Sequence, residues 1–184
     1  MEILKDFVLE SKVDSNVIEK YRSELPSELI EVWEEYGLGS FMNGYLRTIN
    51  PDEYTDIVKE GYFRADVKSA IPIFTTGFGD VIVWQDEKYL NVLSFKSDRA
   101  TIIASGFQFF FGLLTNGSFV SRNLEYSEYI KATEKHGIPK YDECFGYVPL
   151  LASGGAKKVE NLDIVKIKEH ILLIVALAGP IVIE

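Results

Sequence analysis

Nucleophilic chemistry in this chain would have to run through Cys144 and His136, because its 184 residues hold one cysteine and two histidines. Asp142, two positions before the cysteine, completes the outline of a thiolate–imidazole–carboxylate set. A reactive thiol needs an electropositive setting, whereas Cys144 follows Asp142 and Glu143 and leads into an apolar run. His136 closes a helical pattern just before Gly137, where the negative end of a helix favours an imidazolium with no catalytic role. His170 falls inside the last apolar segment, the place of a packing residue. Ser153-Gly154-Gly155-Ala156-Lys157-Lys158 has the composition of a phosphate cradle but not the glycine–lysine spacing, so it reads as a loop. Gly77-Phe78-Gly79-Asp80 reads as a turn between strands rather than a dinucleotide fingerprint. No His, Asp and Glu set stands at metal-ligand spacing. The residue chemistry therefore predicts a protein that is not an enzyme and takes no cofactor or metal.

The elements that position these residues are organised around Ile71 to Ala104. Ile71–Phe74, Val81–Trp84, Tyr89–Phe95 and Thr101–Ala104 are β-branched or aromatic runs bounded by turn residues. Gln85-Asp86-Glu87-Lys88 is short enough to join an antiparallel pair. Before and after this block the apolar period is helical. Asn16-Val17-Ile18-Glu19 has the pattern of a capping box. Pro26 opens a helix with Leu29, Val32, Trp33 and Tyr36 at helical spacing, and Gly37 stops it. Gly37 to Phe41 then reads as a turn, and Tyr45 to Ile49 as a short strand. Asn50-Pro51-Asp52-Glu53 carries a cap, a first-turn proline and a glutamate placed to return a hydrogen bond.

Beyond the meander, Ser105 is predicted to cap a helix with Phe107, Phe110, Phe111 and Leu114 on its core face, closed by Asn116-Gly117. Tyr126, Tyr129 and Ile130 mark another. The last helix is predicted from near Asn161 to Ala178; from Ile171 it is apolar on every side, so its second half is expected to be buried. Ile181-Val182-Ile183 reads as a terminal strand. The expected class is α+β: a central antiparallel β-meander of about four to six strands with helices packed on it and a C-terminal helical portion. One compact domain over 1–184 accounts for the length, with possible subregions 1–104 and 105–184 and a joint at the Ala152–Lys158 loop.

Net charge is −9, which argues against general affinity for nucleic acid or anionic membranes. Residues 1–60 carry 14 acidic and 6 basic side chains, a net of −8, so the acidity is an N-terminal feature. Glu28, Glu31, Glu34 and Glu35 lie opposite the apolar stripe of the Pro26 helix, as an ordinary solvated face or as a surface for a basic partner. The N-terminus has charges interrupting its apolar residues and does not read as a signal peptide. Ile171 to Ile183 falls short of the ~20 apolar residues a bilayer requires. A soluble, cytoplasmic protein is expected.

Four segments in order resemble one family. Tyr36-Gly-Leu-Gly-Ser-Phe-Met-Asn-Gly-Tyr45 with Asn50-Pro51-Asp52-Glu53-Tyr54, and Gly77-Phe78-Gly79-Asp80 leading to Trp84, resemble the GAD-like domain. Gly106-Phe107-Gln108-Phe109-Phe110 and Asp142 to Leu151 with Gly154-Gly155 resemble the domain that follows it in immunity proteins of type VI secretion DNase effectors. Ser153 departs from the larger apolar residue expected before the paired glycines. Leu25-Pro26, Leu29 and Tyr36-Gly37 also bear a looser likeness to the SUKH immunity superfamily.

The resemblance implies a protein that binds a cognate toxin, without catalysis of its own. A toxin nuclease carries basic surface, so an acidic inhibitor gains rate and specificity. Glu28, Glu31, Glu34, Glu35, Asp52 and Glu53 are the candidate contacts. Gly37, Gly39, Gly44, Asn50, Pro51, Gly79 and Asp80 look like fold markers of the family. The alternative is a general SUKH-like interaction module with another cellular partner. The oligomeric state and the toxin's chemistry stay open at this stage.

Overall fold

The computed structural model describes residues 2–183. Strand β1 (Val8–Ser11) leads to helices α1 (Ser15–Tyr21) and α2 (Ser27–Glu35), strands β2 (Leu38–Phe41) and β3 (Leu46–Thr48), helix α3 (Thr55–Gly61) and strand β4 (Tyr62–Arg64). The meander follows as β5 (Ala70–Thr76), β6 (Val81–Gln85), β7 (Tyr89–Ser94) and β8 (Arg99–Ser105). Helices α4 (Phe110–Leu114), α5 (Gly117–Leu124) and α6 (Tyr126–His136) come next, then β9 (Glu143–Tyr147), β10 (Leu162–Lys166), α7 (Ile167–Ala178) and β11 (Ile181–Ile183).

The four expected strands form the meander, and three more extend it into a seven-stranded antiparallel sheet of order β1-β2-β3-β5-β6-β7-β8. Asp86 and Glu87 turn the β6–β7 hairpin with φ of 52° and 53°, as the right-handed twist of the strands requires. Asp86 tolerates this without being glycine because its carboxylate takes the amides of Lys68 (2.8 Å) and Ser69 (3.0 Å).

Gly37 to Phe41, expected to be a turn, is mostly strand β2. The glycines serve close strand approach: a Cβ on Gly37 would sit 2.6 Å from the Ser11 carbonyl oxygen, and one on Gly39 would strike Val8 O and the Phe7 ring.

Alternation along the strands splits the core in two. Ile82, Trp84, Leu90 and Val92 face a layer built from α1, α2 and α4 to α6, with Leu29, Trp33, Phe110 and Tyr129 at its heart. Val81, Val83 and Leu93 face the other side, where α3 and α7 contribute Ile57, Val58, Ile171 and Ile174. β9 touches both: Phe145 joins the first core, Cys144 the second, and the Phe145 amide donates to Gly77 O in the β5–β6 turn (2.8 Å).

Several expected details are corrected. The N-cap of α1 is Asp14, not Asn16; its carboxylate accepts from the Asn16 amide at 2.8 Å. Asn50 does cap its turn, but Glu53 reaches away to Lys168 (2.6 Å) instead of returning to the cap. Ser105 ends β8, and Asn116, expected to close a helix, caps α5 through the Phe119 amide. Residues 162–166 are strand β10, paired antiparallel with β9, so the last helix starts only at Ile167. Its second half is not buried: Leu172, Leu173 and Leu177 are 42%, 56% and 55% exposed. One face, Ile167, His170, Ile171 and Ile174 with Val175 beside it, meets the core, because α7 lies on the surface of its layer. The terminal strand exists as β11 and pairs in parallel with β4.

Candidate interaction surface

Cys144 is fully buried, and burial pushes its thiol up to about 12, so it is protonated at neutral pH. The Nε2 atom of His136 lies 3.3 Å from Val159 O, and its ring packs on Phe145 at 6.0 Å between centroids. His170 is packed against Gly146, where an added Cβ would sit 2.5 Å from the imidazole. Burial lowers its pKa, with Lys96 adding in the same direction. Modification of Cys144 by an aromatic disulfide reagent is therefore expected to be slow in the native protein and immediate in denaturant. Rapid labelling of the folded protein would contradict this.

The six sequence-selected acids lie at the surface and divide by what they touch. Glu34 accepts from Arg22 at 2.8 Å, which ties α1 to α2. Asp52 is bound by Lys20 and by the Tyr21 hydroxyl (2.6 Å), and the hydrogen bond from Lys20, then that from Tyr21, holds its carboxyl below the usual range. Glu53 is paired with Lys168 of α7. These three hold elements together as much as they present charge.

Glu28 is half-buried and takes the Ser27 hydroxyl at 3.3 Å. Glu31 and Glu35 are exposed and have no ion pair among the described residues. The spacing of Glu28, Glu31 and Glu35 lays them along one stripe of α2, opposite the buried Leu29, Val32 and Trp33. These three are the part of the set free to meet a partner.

Sequence reading missed the buried charges. Lys96 and Asp80, each 6% exposed, pair at 2.6 Å, and Glu125 approaches Lys96 at 3.2 Å from the α5–α6 junction. Glu125 holds a φ of 52° there and also pairs with Lys157. Arg47, fully buried on β3, reaches Tyr45 O (3.4 Å) and Lys140 O (3.3 Å), and its Nε is unpaired among the described residues. Leu46, Arg47 and Thr48 are all buried, so alternation gives no hint which of them carries a charge inward.

Two grooves flank β1, and the smaller reaches the acidic stripe at Glu35. A groove of about 540 Å³ runs between β1 and residues 138–142, and one of about 270 Å³ between β1 and the C-terminal end of α2. On the opposite core layer, Leu172, Leu173 and Leu177 of α7 are exposed. Phe63 and Val182, paired across β4 and β11, are 59% and 54% exposed.

The architecture is that of an α+β protein whose fold is already represented by a solved structure. The crystal structure of Atu4351 from Agrobacterium tumefaciens matches with a TM-score of 0.74 and 18% identity, covering 96% of this chain and 87% of that one. The chain belongs to the GAD-like domain family, which matches residues 1–96. Residues 104–178 match the family described as T6SS immunity protein Tdi1, C-terminal. No curated protein matches the chain. Together the two family matches support an immunity role, in which the task of the fold is to bind a toxin. Among the described residues, no helix is long and apolar enough to cross a membrane.

Proposed function

We propose that this protein neutralises a nuclease effector by binding it and covering the basic surface that engages nucleic acid. The observation that carries the reading is the juxtaposition, in one chain, of a GAD-like domain with the C-terminal domain of a type VI secretion immunity family. Charge supports the nuclease part: the net of −8 over residues 1–60 is complementary to a polyphosphate-binding protein. The Glu28, Glu31 and Glu35 stripe supplies the steering field, and Glu34, Asp52 and Glu53 are further contacts, partly neutralised by Arg22, Lys20 and Lys168. Occlusion requires no chemistry from the inhibitor. A nuclease acts where the genome is, so the protein would work in the cytoplasm.

Purified protein titrated against the effector encoded beside its gene, with plasmid cleavage as the readout, tests the reading. Stoichiometric protection of the plasmid is expected, and undiminished cleavage in excess protein would contradict it. Charge reversal at Glu31→Lys and Glu35→Lys then tests the face. Both side chains are exposed, so folding should survive, while association slows about tenfold or more at low salt and loses much of its salt dependence. Unchanged association kinetics would place the interface elsewhere.

A further inference from the structure

β1 is the terminal strand of the seven-stranded sheet, pairs only with β2, and exposes all four of its residues. Among the described residues its outer edge is unpaired, and a groove runs along each of its faces. Val8 and Glu10 line the larger groove together with Asp6, Ile138 and Asp142, and Leu9 lines the smaller one with Trp33, Glu34 and Glu35. Lys140 and Lys12 are the cations in these linings; Asp142 is paired with Lys166 and Glu34 with Arg22, so Asp6 and Glu10 in the larger groove and Glu35 in the smaller are the carboxylates left to meet a partner's cations. Trp33 is 2% exposed, and its indole N–H has no acceptor among the described residues.

A strand laid against β1 would point alternate side chains into the two grooves. Because acids flank both, such a strand would meet carboxylates with successive residues on either side. A second copy of this chain is a poor fit, because self-pairing would bring the acids of the two grooves against each other.

We propose that the β1 edge docks an extended lysine- or arginine-bearing segment of the toxin, which adds an eighth strand to the sheet and sends its cations into both grooves. This rests on the immunity reading and names the surface that carries it. Backbone pairing fixes the register, and the acids of the two grooves select a basic segment over a neutral one.

Hydrogen exchange read by mass spectrometry, on the protein alone and bound to the effector encoded beside its gene, tests the assignment. Amides of residues 8–11 should exchange at least about tenfold more slowly in the complex. The exposed substitutions Val8→Lys and Glu10→Lys should weaken the complex about tenfold or more. A complex that forms with exchange at residues 8–11 unchanged, or with protection confined to Leu172–Leu177, would overturn the edge assignment and leave the immunity reading standing. Failure of the wild-type protein to form any complex would overturn both.

Discussion

Replacing Lys96 with methionine is expected to lower the unfolding free energy by about 3–5 kcal/mol, the usual result of stranding a buried charge whose partner is gone. Lys96 is held at 2.6 Å from Asp80 and 3.2 Å from Glu125, stacks over the Phe78 ring at 5.3 Å, and accepts almost no help from water. Asp80 is also fixed by the Thr76 hydroxyl at 3.1 Å, so its carboxylate is not free to turn outward once the ammonium is lost. The double variant Lys96→Met with Asp80→Asn should recover part of the loss, since it removes both buried charges. Denaturant unfolding of the three proteins checks this. A loss under about 1 kcal/mol for the single variant would mean that the pair behaves as an exposed one.

The same cluster gives a pH dependence. Burial pushes the Glu125 carboxyl up, but Lys96 and then Lys157 outweigh it and hold the carboxyl below the usual glutamate range. A lowered folded pKa contributes stability that is present above the unfolded value and is lost as pH falls through the folded one. The protein should therefore weaken on acidification below the ordinary glutamate pKa, and Glu125→Gln should flatten that slope.

Tyr129→Ala is the second large effect, with an expected cost of about 3–5 kcal/mol from cavity formation. Tyr129 is fully buried and packs against Tyr45 (5.0 Å), Phe145 (5.7 Å) and Phe78 (6.2 Å), and its hydroxyl donates to Asn43 O at 2.9 Å. One side chain thus joins α6, the β2–β3 turn, the β5–β6 turn and β9. Gly77 leaves room for the ring, which an added Cβ would strike. Tyr129→Phe keeps the ring and loses one hydrogen bond, so it should cost only about 1 kcal/mol. Equal losses for the two variants would assign the stability to the hydroxyl and contradict the packing account.

The meander was legible in the sequence because each strand is a compact apolar run ended by turn residues. α2 and α6 were legible because periodicity and stop signals agree. What escaped was set by contacts distant in sequence. β2 was hidden behind Gly37 and Gly39: Gly37, with a φ of 83°, does end α2, but Gly39 lies within the strand, where its small size serves the approach of β1. β10 was absorbed into the following helix because Leu162 to Lys166 suits either period and only its pairing with β9 decides. α7 looked buried because its apolar residues run all round, whereas only one stripe is covered. The acidic stripe on α2 followed from spacing alone. Its division into free acids and acids tied to Arg22, Lys20 and Lys168 depended on where α1 and α7 lie.

The central claim, that this chain exists to bind and silence a toxin, is tested most directly by co-expressing it with the effector encoded beside its gene. Cell survival and co-purification are scored together. Survival that requires this protein, with a stable complex recovered from the cells, is the predicted result. Cells that die regardless, or survive without it, with no complex formed, would contradict the claim.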